Sequence, residues 1–500
     1  MNLYKSFIHK VQKNPNKTVL VEKINNQWKE FSYSNIYARS NDCIYNLKQH
    51  HIQKNDHVIY KGKNSVDWLA WNMATLSLGA VWVPIYHNQN NSYINHIIQD
   101  SKAKLLIHDN KDFETTKNIR THYSQVVETK NEYVNYEEND LSHIIYTSGT
   151  SGSPKGVMLT HQNLYSNIQS LQLMFPDLTQ KENIKTLNIL PWAHIYSLNT
   201  ELYYNLLNEN IIYLNNDPNQ FLKDLVDVQP HVLYLVPRVL EEIHKKLNFL
   251  DKPLIHKVIP FLLSKLFGPN LITIFMGGAK LHPDNANFFS LNGINICEGY
   301  GTTEASPMIS VNHIQYPRDT NSIGAILDNV DVQIINGEIC VNGPNISKGY
   351  WNDKEKTESS FIFYNGKKYY KTGDEGTKKY NYLYYRGRKS NNYKLTNGKF
   401  ISVDYYEKSI KDVIKNTPLI LYGVDKPYNI LIMEKNESNE CSQELITKIN
   451  ETLPKYAHIK DILELKNNAF SNFLTPKMSL KRKELINYYQ EEIDHFYESL

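Results

Sequence analysis

The sequence predicts an α/β fold with more than one domain, on three observations. Strand-like and helix-like runs alternate from Val19 to Ile107, the pattern of a parallel sheet covered by helices. The chain has 500 residues, too many for one hydrophobic core, so two or three domains are expected. Near the C-terminus the apolar spacing of Tyr406, Ile410, Val413 and Ile414 predicts a helix. Two apolar runs, Leu419 to Val424 and Ile430 to Met433, predict paired strands across Asp425-Lys426-Pro427, which makes this end a small α+β unit. Apolar and charged fractions of 41% and 21% are ordinary for a globular protein, and a net charge of +3 leaves no electrostatic footprint for nucleic acid. Cys43, Cys297, Cys340 and Cys441 stand far apart and indicate neither a disulfide framework nor a zinc site, so a reducing compartment is expected. Met1 to Lys5 carries no secretory signal, and the expected location is cytoplasmic.

Ile36, Cys43, Ile44 and Leu47 form one helical stripe, and His57–Tyr60 and Lys104–Ile107 read as strands. Trp68 to Tyr86 carries no formal charge but is broken by Gly79 and Pro84. It reads as a buried helix ending at Gly79, followed by a core strand over Ala80–Val83. The polar run His87–Ser92 reads as a loop. Ser142–Tyr146 and Val157–Leu159 read as strands flanking the loop Tyr146 to Gly156, where five Ser/Thr hydroxyls and three glycines surround Lys155. Small residues admit an anion close to backbone N–H groups, hydroxyls add donors, and the lysine adds charge; such a loop suits a polyphosphate. It is not the common phosphate loop, which needs Gly-Lys-Ser/Thr. Thr160 is a plausible N-cap for a helix with Leu164, Ile168 and Leu171 on one face. Val232–Val236 and Leu271–Ala279 read as strands, the latter ending in Gly277-Gly278-Ala279, and Ile294–Cys297 reads as the next strand. Leu254–Phe267 reads as a helix under the core, kinked or started at Pro260; a patch resting on a membrane surface is the alternative left open.

Tyr146 to Gly156, followed by Val157-Met158-Leu159-Thr160-His161, resembles the signature of the adenylate-forming (AMP-binding) superfamily, and Pro191-Trp192-Ala193-His194-Ile195-Tyr196 resembles its long-chain fatty acid–CoA ligases. The resemblance runs from about Val19 onward. It implies an N-terminal domain over 1–387, with helix-flanked sheets and a small β-rich region, and a C-terminal domain over 388–500 that rotates about a hinge at 388–389. It implies that Thr147, Ser148, Gly149, Thr150, Ser151, Gly152 and Lys155 hold the phosphates. In Glu298-Gly299-Tyr300-Gly301-Thr302-Thr303-Glu304, it implies that Gly299 to Thr303 line the nucleotide, with Tyr300 and Gly277–Ala279 on adenine, Thr303 on the α-phosphate and Glu304 on Mg²⁺. That assignment agrees with the preference of Mg²⁺ for one or two carboxylates plus phosphate oxygens. Trp192, His194 and Tyr196, with Gly277 and Tyr300, are implied to border the acid; taken alone, His194 would read as core.

By the same resemblance Asp374, on a tight Gly-Asp turn, and Arg388 hold the ribose, and Lys394 and Gly398 approach CoA. Two positions depart from the family pattern. Lys399 stands where glutamate is usual, and Ser479 stands where a lysine usually bridges the acid and the α-phosphate. Lys477 and Lys481 lie two residues to either side and share its face in an extended segment, so either could substitute. The implied function is ATP- and Mg²⁺-dependent activation of a medium- or long-chain fatty acid to acyl-AMP and then acyl-CoA. The alternative is a degenerate member that binds the nucleotide with little ligase activity. Fatty acid and CoA are the expected small-molecule partners, with no obligate protein partner and peripheral membrane contact left open.

Overall fold

The computed structural model describes residues 2–108, 120–123, 137–148, 154–247, 258–279, 281, 283–313, 322–414, 417–435, 442–474 and 480–500. The chain divides into two compact units. One comprises Met1–Val332, Val341–Tyr370 and Tyr380–Leu383; the other comprises Gln333–Cys340, Lys371–Lys379 and Tyr384–Leu500. The fold class is the expected one: mixed α/β, with a large sheet-containing unit and a smaller second unit.

Two sheets build the large unit. In the first, Arg120–Tyr123, Leu105–His108, His57–Lys61, Val81–Ile85 and Leu141–Ser148 lie side by side in parallel, and Pro154–Thr160 closes the edge antiparallel. The uncharged stretch that begins at Trp68 lies in the crossover feeding this sheet. Ser65 caps the helix Val66–Ser77 by accepting from the Trp68 N–H, and every residue of that helix except Asp67 is buried. Gly79, at φ +65°, turns the chain into Val81–Ile85. No helix among the described residues is long and apolar enough to cross a membrane.

The second sheet has a parallel core in the order Thr18–Ile24, Ile211–Leu214, Lys185–Asn188, Val232–Leu235, Thr273–Met276 and Ile296–Gly301. All six strands therefore finish at one edge, where open α/β sheets place their ligands. Met308–Val311 then pairs antiparallel with Ile296–Gly301. Thr160 caps the helix His161–Met174 through a capping box with Asn163, and Leu164, Ile168 and Leu171 are buried on its inner face, as the spacing predicts. The helix Ile259–Phe267 carries Pro260 in its first turn and buries Ile259, Leu263 and Phe267, which makes it a helix under the core; residues 254–257 lie outside the described residues.

In the second unit, Leu419–Tyr422 pairs antiparallel with Asn429–Glu434, which pairs parallel with Ile459–Leu465. Helix Val403–Val413 lays Val403, Tyr406 and Ile410 into the core of this unit, so the small α+β unit forms as expected.

Candidate active site at the sheet edge

The glycine- and hydroxyl-rich loop connects two strands of a hairpin. Leu141–Ser148 and Pro154–Thr160 pair in register, with Thr147 opposite Lys155 and Tyr146 opposite Gly156. Gly156 is required by packing, because a Cβ there would stand 2.6 Å from Ile144 Cγ2. Gly149, Thr150, Ser151 and Gly152 lie outside the described residues, as does the side chain of Ser148. Lys155 sits at the root of the loop with Nζ 3.4 Å from Asp353 Oδ2. Asp353 is nearly 200 positions away, and no local feature of the sequence pairs the two.

Glu304 is brought to the same segment that holds Lys155. Residues 347–353 run beside the hairpin strand: the Met158 N–H donates to Gly349 O at 2.9 Å, the Lys348 N–H to Met158 O at 3.0 Å and the Trp351 N–H to Gly156 O at 2.8 Å. From this segment the Tyr350 hydroxyl donates to Glu304 Oε1 at 2.7 Å, and the Ser347 N–H donates to Glu304 O at 2.8 Å. Lys155 and Glu304, 149 positions apart, thus share one support. The Tyr350 hydroxyl orients this carboxylate. Among the described residues no group of three or more His, Cys, Asp or Glu could hold a metal by itself. A single oriented carboxylate instead fits Mg²⁺, whose remaining ligands come from phosphate oxygens and water.

The glycine-bearing strand ends lie side by side, with Met276 in register with Glu298, so Gly277–Ala279 and Gly299–Thr303 adjoin. Backbone bulk is excluded here on both sides. A Cβ on Gly277 would stand 2.9 Å from the Tyr196 ring, and one on Gly301 only 1.8 Å from Pro307 O. Tyr300 is half-buried, Thr303 is buried at the start of a short 3₁₀ turn, and the Thr302 N–H donates to Pro307 O.

The segment after Lys185–Asn188 enters the same edge. His194 is half-buried, and its Nδ1 accepts from the Tyr196 N–H at 3.3 Å. Tyr196 opens a π-helix, Tyr196–Tyr203, and donates its buried hydroxyl to Phe275 O at 2.9 Å. Behind it lies a small cavity lined by Phe175, Tyr196, Tyr204, Tyr234, Phe275 and Met308, with Gly299 at its wall. Trp192 does not line it; this ring is fully buried and stands edge-on to Trp68, 5.3 Å away, in the core. Glu201 is the functional-site neighbour that the sequence does not betray. It is fully buried in the π-helix, and burial pushes its carboxyl up to about 8.

Within the second unit the structure brings Asp374 and Arg388 together. Arg388 Nη1 donates to Asp374 Oδ1 at 2.8 Å and to Thr372 O at 2.7 Å. Asp374 does not sit on a tight turn between strands, as expected, but inside the continuous strand Lys367–Lys379, where Gly373 at φ +76° supplies the irregularity. Lys394 and Gly398 flank a hairpin turn between Tyr393–Lys394 and Phe400–Ile401; Gly398 has φ +78° and open space around it. Lys481 Nζ is 3.0 Å from Glu484 Oε2 at the head of helix Arg482–Tyr488. Lys477 and Ser479 lie outside the described residues.

The chain is similar to known proteins over most of its length. The chain is 31% identical to a long-chain-fatty-acid–CoA ligase of Bacillus subtilis over 265 residues, 49% of this chain and 45% of that one, so it spans under half of that relative. It is 23% identical to long chain acyl-CoA synthetase 4 of Arabidopsis thaliana, covering 88% of this chain and 82% of the relative. Among solved structures, ATP-bound MatB from Rhodopseudomonas palustris superposes with a TM-score of 0.82 at 21% identity, covering 98% of this chain and 99% of the other. The o-succinylbenzoate CoA synthetase MenE from Bacillus subtilis, in complex with ATP and magnesium ion, gives 0.78 at 20% identity, covering 96% and 98%; at these identities the likeness is one of fold. Residues 394–500 match the AMP-binding enzyme C-terminal domain, and with residues 7–351 matching the AMP-binding enzyme domain, the chain belongs to the AMP-binding enzyme family.

Proposed function

We propose that this protein is an ATP-dependent acid–CoA ligase whose acid is a medium- or long-chain fatty acid. The acid–CoA ligase reading is supported by the two family domains and by relatives named as ligases and synthetases. The finer reading rests on one observation, the chemistry of the cavity behind Tyr196. Its lining contains no lysine, arginine or histidine and presents only apolar surface. A substrate with a second carboxylate would leave that charge unpaired there, at a cost of several kcal/mol, whereas an alkyl chain gains roughly 0.8 kcal/mol per buried methylene. The cavity is narrow, with room for about one water molecule. Met308 lies across Gly299, whose Cβ would stand 2.5 Å from Met308 Cε. An unbranched thioether with three rotatable bonds can swing aside to admit a chain.

In this mechanism Lys155 and the hairpin backbone bind the triphosphate, and the phosphates displace Asp353 from Lys155. Glu304, held by Tyr350, is the carboxylate that would take Mg²⁺, which when bound neutralises charge developing on the phosphate oxygens. His194 and Tyr196 orient the acid, and the protein contributes alignment and electrostatic stabilisation with no covalent intermediate of its own. Asp374 and Arg388 hold the ribose, and the hinge at 388–389 would exchange the terminal motif for the Gly398 turn between adenylation and thioester formation. A non-catalytic role finds no support in the comparisons. ATP–pyrophosphate exchange with a panel of acids tests the proposal. Exchange is expected with alkanoates of about eight carbons or more and not with dicarboxylates; exchange confined to dicarboxylates or aromatic diacids would overturn the fatty acid reading.

A further inference from the structure

The inference rests on the triphosphate reading of Lys155 proposed above and concerns the strand that carries it. Pro154–Thr160 lies at the edge of the first sheet, paired on one side with Leu141–Ser148. Backbone groups alternate along a strand with a period of two, so the carbonyls of residues 154, 156 and 158 point off the other side. Gly156 O and Met158 O accept there from the Trp351 and Lys348 N–H groups, at 2.8 and 3.0 Å. The 347–353 segment then turns away, because Asp353 caps the helix Lys354–Ser359. Pro154 O is met by a side chain instead: His96 Nε2 reaches it at 3.0 Å. A carbonyl oxygen only accepts, so His96 Nε2 is the donor and carries the proton.

The helix that bears His96 is itself tied to the surrounding site. In Asn91–Ser101, Ile94, Ile97 and Ile98 are buried in one apolar cluster with Val83, Ile144 and Tyr146. Asp100 follows His96 by four positions and lies on the same helix face. Its carboxylate accepts from the Tyr146 hydroxyl at 2.6 Å, and its backbone carbonyl accepts from Trp351 Nε1 at 3.0 Å and Asn352 Nδ2 at 2.8 Å. One stretch of helix thus joins both hairpin strands to the segment that bears Tyr350 and Asp353. Pro154 O and the Lys155 N–H belong to one planar peptide, so holding the carbonyl sets the direction in which the chain enters Lys155. At 3.4 Å, the contact with Asp353 is too long to fix the lysine ammonium, and its aim depends on the backbone.

We propose that His96 is a positioning residue for the triphosphate: its hydrogen bond orients the Pro154–Lys155 peptide and so aims the Lys155 ammonium at the phosphates. It acts through the lysine and touches neither nucleotide nor acid.

The test is calorimetric binding of ATP and of AMP, with magnesium and without acid, to wild type and variants. His96→Phe keeps a ring and His96→Ala removes it; both lose the donor, which the amide of His96→Gln restores. Loss of one such bond is expected to weaken ATP binding about fivefold in His96→Phe and His96→Ala, with His96→Gln within about twofold of wild type. AMP carries only the α-phosphate, assigned above to Thr303, and is expected to bind all three variants within about twofold of wild type. In exchange assays the two donor-less variants should raise the KM for ATP and leave that for the acid unchanged. Combining His96→Phe with Lys155→Ala is expected to cost no more ATP affinity than Lys155→Ala alone, because the histidine acts through the lysine. Equal losses for AMP and ATP, a loss in His96→Gln as large as in His96→Phe, or full ATP affinity without the donor would each overturn the proposal. If Lys155→Ala binds ATP as wild type does, the triphosphate assignment itself fails and takes the proposal with it; loss in Lys155→Ala alone overturns only the role of His96. Melting temperatures show that each variant is folded.

Discussion

Lys155 and Glu304 carry most of the proposed electrostatic work, and each is held by a residue that sequence spacing could not connect to it. Lys155→Ala is expected to lower pyrophosphate exchange about 100-fold while leaving the fold intact, measured against an unchanged melting temperature. Tyr350→Phe removes a hydrogen bond to a carboxylate, of a kind worth roughly 1.5–3 kcal/mol, and is expected to raise the Mg²⁺ concentration needed for half-maximal exchange about tenfold. An unaltered Mg²⁺ requirement would remove Tyr350 from the site. Glu201 also makes stability depend on pH. Its folded-state value of about 8 lies above the ordinary 4.5, so the folded protein keeps a proton that the unfolded chain has already released. Stability from this group is full below about 4.5 and is lost as pH rises to about 8, at up to about 1.4 kcal/mol per pH unit. Thermal melts of wild type and Glu201→Gln should diverge across that window in favour of the variant, and parallel curves would contradict the assignment.

At the scale of elements, the hairpin that carries Lys155 and the glycine-bearing strand ends were legible because local chemistry dictates them. Alternating apolar residues bound the Gly/Ser/Thr loop, and Thr160 with Asn163 forms the capping box that starts the following helix. Thr160→Ala should cost about 1 kcal/mol in denaturant melts. Gly301 presents a harder limit. A methyl group there would meet the backbone carbonyl of Pro307, so Gly301→Ala is expected to destabilise the protein by roughly 3 kcal/mol and to abolish exchange. The π-helix Tyr196–Tyr203 was not legible, since its turn is set by buried partners such as Phe275 O for Tyr196 and Ser306 O for Asn199, more than 75 positions away. Asp374 shows the same limit, because Gly-Asp reads as a turn yet continues a long strand.

For the whole molecule, the two proposed half-reactions should separate by mutation. Gly398→Leu places bulk at the tip of an open turn with positive φ, so exchange should persist while acyl-CoA formation falls at least tenfold, measured on the same preparation. Ser479→Lys should raise exchange if that position is the terminal-motif site, and an unchanged rate would count against the alignment of Lys477, Ser479 and Lys481.

What the sequence determined by itself is what short-range chemistry can encode: the α/β class, the hairpin that carries Lys155, the glycine positions at strand ends and the buried crossover after Ser65. Periodicity and small-residue clusters act over a few positions, and they survive any tertiary context. Only the folded structure decided which distant side chains meet. It placed Asp353 on Lys155 and Tyr350 on Glu304, sent Trp192 into the core, and closed Glu201 away from water. Those outcomes depend on packing and desolvation across more than a hundred positions in some pairs, where burial sets both the partner and the charge that a group can bear.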